Sequence, residues 1–266
     1  MRATDLLRQG DLNSTLVQLQ AEVRADPSNA AHRTFLFQLC AVMGDWERAA
    51  AQLSVAGSLN ARALPMVQTY RAALECEVFR EAVFAGIKTP LLLGEPEPWV
   101  VLLIDALALD AAGRAAEAMQ ARDSALAQAP TSAGRIDGHA FEWIADGDSR
   151  LGPVCEAIIN GKYYWIPFHR LTSIAVETPA DLRDAIWIPI QVTLANGGQT
   201  VALMPTRYPG SERSVDDALR LARKTEWDEL PSGAYAGKGQ RMFATDQGEY
   251  ALMDIRLIEV GPMAAE

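Results

Sequence analysis

The sequence predicts an α+β protein: an N-terminal array of helical hairpins over residues 1–130, then a small α+β domain over 135–266 with a mainly antiparallel sheet and an aromatic-rich core. Three observations carry this. Apolar residues in the first half recur at helical spacing, and glycines stand at fixed distances between them. Of the 19 aromatic residues, 12 lie from Phe141 onward, so the second half needs a core of its own. Between the two, TSAGRID at 131–137 breaks the helical composition, and strand-turn-strand patterns follow.

In the first half, Leu12, Leu16, Leu19 and Val23 mark one face of a helix that Asp26-Pro27 ends. Phe35, Leu36, Leu39 and Val42 mark the next, and after Gly44-Asp45-Trp46 a partner helix carries Ala49, Ala50 and Leu53. Gly44 lies 34 residues after Gly10, the tetratricopeptide period, and Gly113 precedes Pro130 by 17 residues as Gly10 precedes Pro27. Ala49 and Ala118 each follow such a glycine by five residues, small enough for the second helix to pack closely. Arg62 to Gly86 reads as a degenerate pair built on Val67, Tyr70, Leu74, Phe79 and Val83. The prolines at 90, 96 and 98 then interrupt the pattern before a last pair begins near Trp99. Stacked pairs of this kind leave a concave surface suited to a peptide or helix.

In the second half, Gly152-Pro153 reads as a helix start and Asn160-Gly161 as its stop, predicting a short helix over 153–159 with Val154, Ile158 and Ile159 inward. Tyr163 to Phe168 reads as a strand, with Pro167 arguing for an edge or bulge. Ala185–Leu194 and Thr200–Met204 flank Asn196-Gly197-Gly198 and predict a hairpin. Arg241–Thr245 and Glu249–Val260 predict another around Asp246-Gln247-Gly248. Tyr208-Pro209-Gly210-Ser211 reads as a tight turn, and Ser214 as the cap of a helix turning Val215, Ala218, Leu219 and Ala222 inward.

A net charge of −10 and a pI near 4.9 argue against nucleic-acid or anionic-membrane partners and leave a basic or polar protein segment as the easier one. Cys40, Cys76 and Cys155 are scattered and odd in number, which speaks for a reducing compartment. No secretory signal and no membrane span are expected, hence a cytoplasmic protein. Asp146 and Asp148 form a D-x-D pair that could hold a divalent metal in a transferase, although capping of the following turn accounts for it more simply. Cys155 and His169 could be nucleophile and base, but Cys155 sits among apolar residues, as a buried inert thiol does. His139 has no partner at metal spacing. Gly237-Lys238-Gly239-Gln240 lacks the spacing of a phosphate loop, and its glycines suit a tight bend.

The run WIADGDSRLGPVCEAIINGKYYWIPFHRL, followed by DLRDAIWIPI, ALMPTRYPGS and GKGQRM, resembles the ImpE/SciE/TagJ family of type VI secretion accessory proteins. The resemblance spans nearly the whole chain and is carried by these words in the second half. It implies a non-catalytic adaptor without cofactor or metal that binds the N-terminal helical region of the small sheath subunit, the TssB-type protein, in the cytoplasm. Candidate contact residues are Gln38 and Asp110, at first-helix positions that line the groove in tetratricopeptide proteins. Trp143, Tyr163, Tyr164 and Trp165 are further candidates, because in a regular strand Tyr164 points away from its two neighbours, so one of the three faces another layer or a partner. The alternative from the residues is a metal-dependent transferase using Asp146 and Asp148.

Overall fold

The computed structural model describes residues 2–261. Its first half is helical: α1 (Ala3–Gln9), α2 (Leu12–Ala25), α3 (Ala30–Val42), α4 (Trp46–Leu59), α5 (Leu64–Phe84), α6 (Pro98–Ala111) and α7 (Ala115–Gln128). Asp11, Asn29 and Asp45 cap α2, α3 and α4 by accepting backbone N–H groups that helix geometry leaves unpaired. Gly10, Gly44 and Gly113 all sit at positive φ between the helices of a pair, so the 34-residue spacing marks the turn of each hairpin.

The stretch read as a degenerate pair is instead one helix. α5 runs unbroken for 21 residues, and its buried positions Val67, Tyr70, Leu74, Glu77, Arg80 and Val83 keep the three-four spacing throughout. Without a glycine or proline between Met66 and Ala85, nothing stops it.

Strands follow. β1 (Leu91–Leu92) precedes α6; β2 (Gly134–Ile136), β3 (His139–Phe141), β4 (Ile144–Asp146), β5 (Val154–Ile159), β6 (Lys162–Pro167), β7 (Leu171–Val176), β8 (Trp187–Leu194) and β9 (Gln199–Pro205) come next. After a one-turn helix, α8 (Asp217–Arg220), come β10 (Thr225–Glu229), β11 (Tyr235–Gly239), β12 (Met242–Thr245), β13 (Gly248–Ala251) and β14 (Leu257–Val260). Nine of them form a sheet in the order β1-β6-β5-β9-β8-β7-β14-β2-β3, antiparallel except at β1–β6. β13-β12-β4 form a small second sheet and β10-β11 a ribbon. The expected hairpin over 185–204 is β8–β9. The last expected hairpin is shorter: β12–β13 closes it, and the chain then leaves for the large sheet as β14.

The segment 153–159 is not a helix but β5. All six of its residues are buried, because helices cover one face of the sheet and the small sheet covers the other. A strand buried on both faces loses its apolar-polar alternation and reads like a short buried helix. Asn160 and Gly161, both at positive φ, form the two-residue turn into β6 rather than a helix stop. The helix expected from Ser214 is the single turn α8, capped by Asp216, and Val215 is fully exposed instead of inward.

One hydrophobic cluster joins the halves. Leu36, Phe37 and Leu39 of α3, Tyr70 and Leu74 of α5 and Leu103 of α6 share it with Val154, Ile158, Tyr163, Trp165, Trp187 and Leu203 from the sheet. Trp187 meets Tyr70 and Trp46 with ring centroids 5.8 and 6.4 Å apart, and Trp165 meets Phe84 at 6.1 Å. Behind the sheet, Ile166, Phe168, Ile188, Met204 and Phe243 belong to a second cluster. Among the described residues, no helix is long and apolar enough to cross a membrane. Because Trp187 is fully buried at the junction, Trp187→Ala is expected to cost about 3–5 kcal/mol of unfolding free energy, measured by urea titration.

Candidate functional site

At the helix–sheet junction, charged side chains lie where apolar ones would be expected. Glu156 is the polar residue of β5 on the helix-facing side, and there it meets Arg80 of α5. Arg80 donates to its two oxygens at 2.6 and 2.8 Å. Arg241 and the Tyr163 hydroxyl also donate to Glu156. Arg241 reaches on to Asp146, which accepts from the Tyr208 hydroxyl at 3.0 Å. Asp148 is held by Arg150 through two hydrogen bonds of 2.8 and 2.5 Å and by the Gly237 N–H at 2.9 Å. Glu77 accepts from the Trp187 indole at 2.9 Å and lies 3.5 Å from Arg80. Arg207 donates to the carbonyls of Ala41 and Val42 at the end of α3, where cationic charge suits the helix dipole.

Four carboxylates therefore face four guanidiniums, and pairing offsets what burial costs. Burial opposes ionisation of Glu156, but Arg80 and Arg241 outweigh it and hold the carboxyl down at about 2. Burial pushes Asp146 up to about 6 against the pull of Arg241, and lowers Arg207 to about 10, still charged at neutral pH.

The sequence-level candidates for chemistry fall inside this network or apart from one another. Asp146 and Asp148 are committed to Arg241, Tyr208 and Arg150, not to an open coordination site. Among the described residues, no cluster of three or more His, Cys, Asp or Glu is arranged to hold a metal ion. The Cys155 thiol is buried, which pushes it up to about 12, whereas His169 lies 3.1 Å from Glu97 and stacks near Trp99. His139 begins the edge strand β3. Gly237 packs against the Tyr208 ring where a Cβ would collide, so the GKGQ glycines serve close packing and a bend.

The contact candidates also separate. Tyr163 and Trp165 face the helices and are 2% and 0% exposed, while Tyr164 turns to the other layer and is half-buried. Gln38 is buried beneath the sheet, and Asp110 pairs with Arg122 at 2.6 Å. Trp143, between β3 and β4, is 40% exposed. Burial removes Gln38, Tyr163 and Trp165 from direct contact with a partner in this conformation: the inner helix face expected to be an open groove is filled by the protein's own sheet. Sequence reasoning passed over Arg80, Glu156, Arg207 and Arg241. The available signal was a lone Glu inside the apolar run VCEAII.

Two grooves remain open, one on either side of α5. One, of about 660 Å³, lies between α5 and the β8–β9 hairpin, with Met66, Tyr70, Ile190 and Leu203 among its walls. The other, of about 550 Å³, lies between the start of α4 and the outer face of α5.

Comparison with known proteins places this architecture. The ImpE protein family profile matches residues 138–259. The type VI secretion system accessory component TagJ of Pseudomonas aeruginosa is 53% identical over 265 residues, covering 100% of this chain and 93% of that protein. The chain belongs to the ImpE family. The crystal structure of protein VPA1032 from Vibrio parahaemolyticus superposes with a TM-score of 0.89 over 98% of both chains at 22% identity, so an ImpE protein and a distant sequence share this fold. Within the ImpE chain, the quoted second-half words supply much of the network: Glu156, Tyr163, Arg207 and Arg241 all fall in them.

Two outcomes are expected. Glu156→Gln leaves Arg80 and Arg241 short of a buried counter-charge and should cost about 3–5 kcal/mol at neutral pH. Glu156 titrates lower in the folded protein than its ordinary 4.5, so its stabilisation is complete above that pH and is lost as pH falls through about 2. The gap in unfolding free energy between wild type and variant should therefore narrow across that window. Separately, Mg²⁺ or Mn²⁺ should leave the thermal midpoint unchanged, because the Asp146 and Asp148 oxygens are already engaged.

Proposed function

We propose that the protein is a non-catalytic accessory component of a type VI secretion system that acts in the cytoplasm by binding the N-terminal helical region of the small, TssB-type sheath subunit. The observation that carries this is the 53% identity, across the full chain, to a protein named as such an accessory component. The geometry agrees with it. The ionisable groups at the helix–sheet junction are paired with one another, and the features left open to solvent are apolar grooves beside a long helix. Grooves of this kind take an amphipathic helix by its apolar face. The strongly acidic chain favours a partner segment carrying Lys and Arg. Trp143 and Tyr164 stay as candidate contacts reachable from solvent, and Asp110 as one that would have to release Arg122.

The sheath subunit, intact and without its first helix, supplies the test. The purified protein should retain the intact subunit in a pull-down and release the truncated one. Equal retention of both, or of neither, excludes the reading.

A further inference from the structure

The two grooves beside α5 differ in charge, and charge is what selects between them. In the groove toward the sheet, Glu177 and Arg183 are the charged lining residues and cancel, with Arg183 also 2.6 Å from Asp181. In the groove toward α4, Asp45, Glu47 and Glu75 line the rim, against Arg71 alone. Arg71 is held by the Ser54 hydroxyl at 2.9 Å. Beyond this rim Glu81 and Glu212 share Arg213, so the surrounding surface supplies no excess of cations.

The floor of the acidic groove is apolar. Trp46, Ala50, Leu74 and Val78 form it, and Val78 is 54% exposed. Trp46 is half-buried because Trp187 supports it from below, which leaves part of a rigid aromatic side chain facing the groove. A supported aromatic flanked by charge is the arrangement that anchors a partner segment, because it gives contact area at low entropic cost. The walls are two helices, α4 and α5, whose side-chain ridges leave a channel that a third helix can fill.

We propose that the groove between α4 and α5 is the docking site for a partner helix with one apolar face flanked by Lys and Arg. The apolar face covers Trp46, Ala50, Leu74 and Val78, and the basic flanks meet Asp45, Glu47 and Glu75. This assignment rests on the adaptor reading above and adds where and by what chemistry the partner is held.

The test uses full-length protein and a labelled peptide spanning the N-terminal helical segment of the small sheath subunit, followed by fluorescence anisotropy. Glu47 and Glu75 are exposed, so Glu47→Lys/Glu75→Lys should fold as the wild type does, which a circular-dichroism melt verifies. The double variant should bind at least about tenfold more weakly at low ionic strength, and wild-type binding should weaken as salt rises. Val201→Glu, in the other groove at a residue 76% exposed, should bind as the wild type does. A peptide with its flanking Lys and Arg changed to Glu should regain affinity for the double variant. Unchanged affinity of Glu47→Lys/Glu75→Lys, or a loss in Val201→Glu instead, overturns the groove and leaves the adaptor reading standing. Failure of the wild type to bind both the peptide and the intact sheath subunit overturns the two together.

Discussion

The fold depends on Glu156 being caught between Arg80 and Arg241. Arg80 comes from α5, Glu156 from β5, and Arg241 from the residue just before β12, so one carboxylate ties the helical layer, the large sheet and the small sheet. Apolar packing at the junction supplies the larger share of the stabilisation, as it does in most interiors. The charges add a geometric demand. Sliding α5 along the sheet by one turn would leave a buried guanidinium without its carboxylate, and the cost of that far exceeds the loss of a few apolar contacts. Arg207, reaching from the sheet side to the end of α3, sets a second such point.

Much of this was legible in the residues. The helix-terminating glycines at 34-residue spacing, the composition change after residue 130 and the Asn196-Gly197-Gly198 hairpin each depend on local backbone preference, which short windows report well. What could not be read depended on layers. β5 looks like a helix in sequence because two different cores cover its two faces, and only the three-layer arrangement explains the missing alternation. The same holds for Tyr163, Tyr164 and Trp165: their alternation was predictable, but the layer that each side would meet was not. Arg80 and Arg241 look like surface residues in any window, since their counter-charge lies 76 and 85 positions away.

The filled inner face also relocates recognition. In an open array of helical hairpins the first helices of each pair offer the binding surface, and Gln38 would sit on it. Here Leu36, Phe37 and Leu39 press on Trp187 and its neighbours instead, so partner contact moves to the flanks of α5. α5 is thus used on several sides: Arg80 and Tyr70 inward, Leu74 and Val78 toward α4, and Met66 and Thr69 toward β8–β9.

The sheet that covers the hairpins has a fixed width, and this bears on how such a chain can change over time. An uncovered solenoid can gain or lose units by duplication, because each new unit finds its neighbour's surface waiting. A hairpin inserted beside α3–α4 here would carry an apolar face with no strand left to cover it, and would push α5 off its counter-charges. Divergence is therefore channelled into substitutions and loop lengths, with the number of helices held constant.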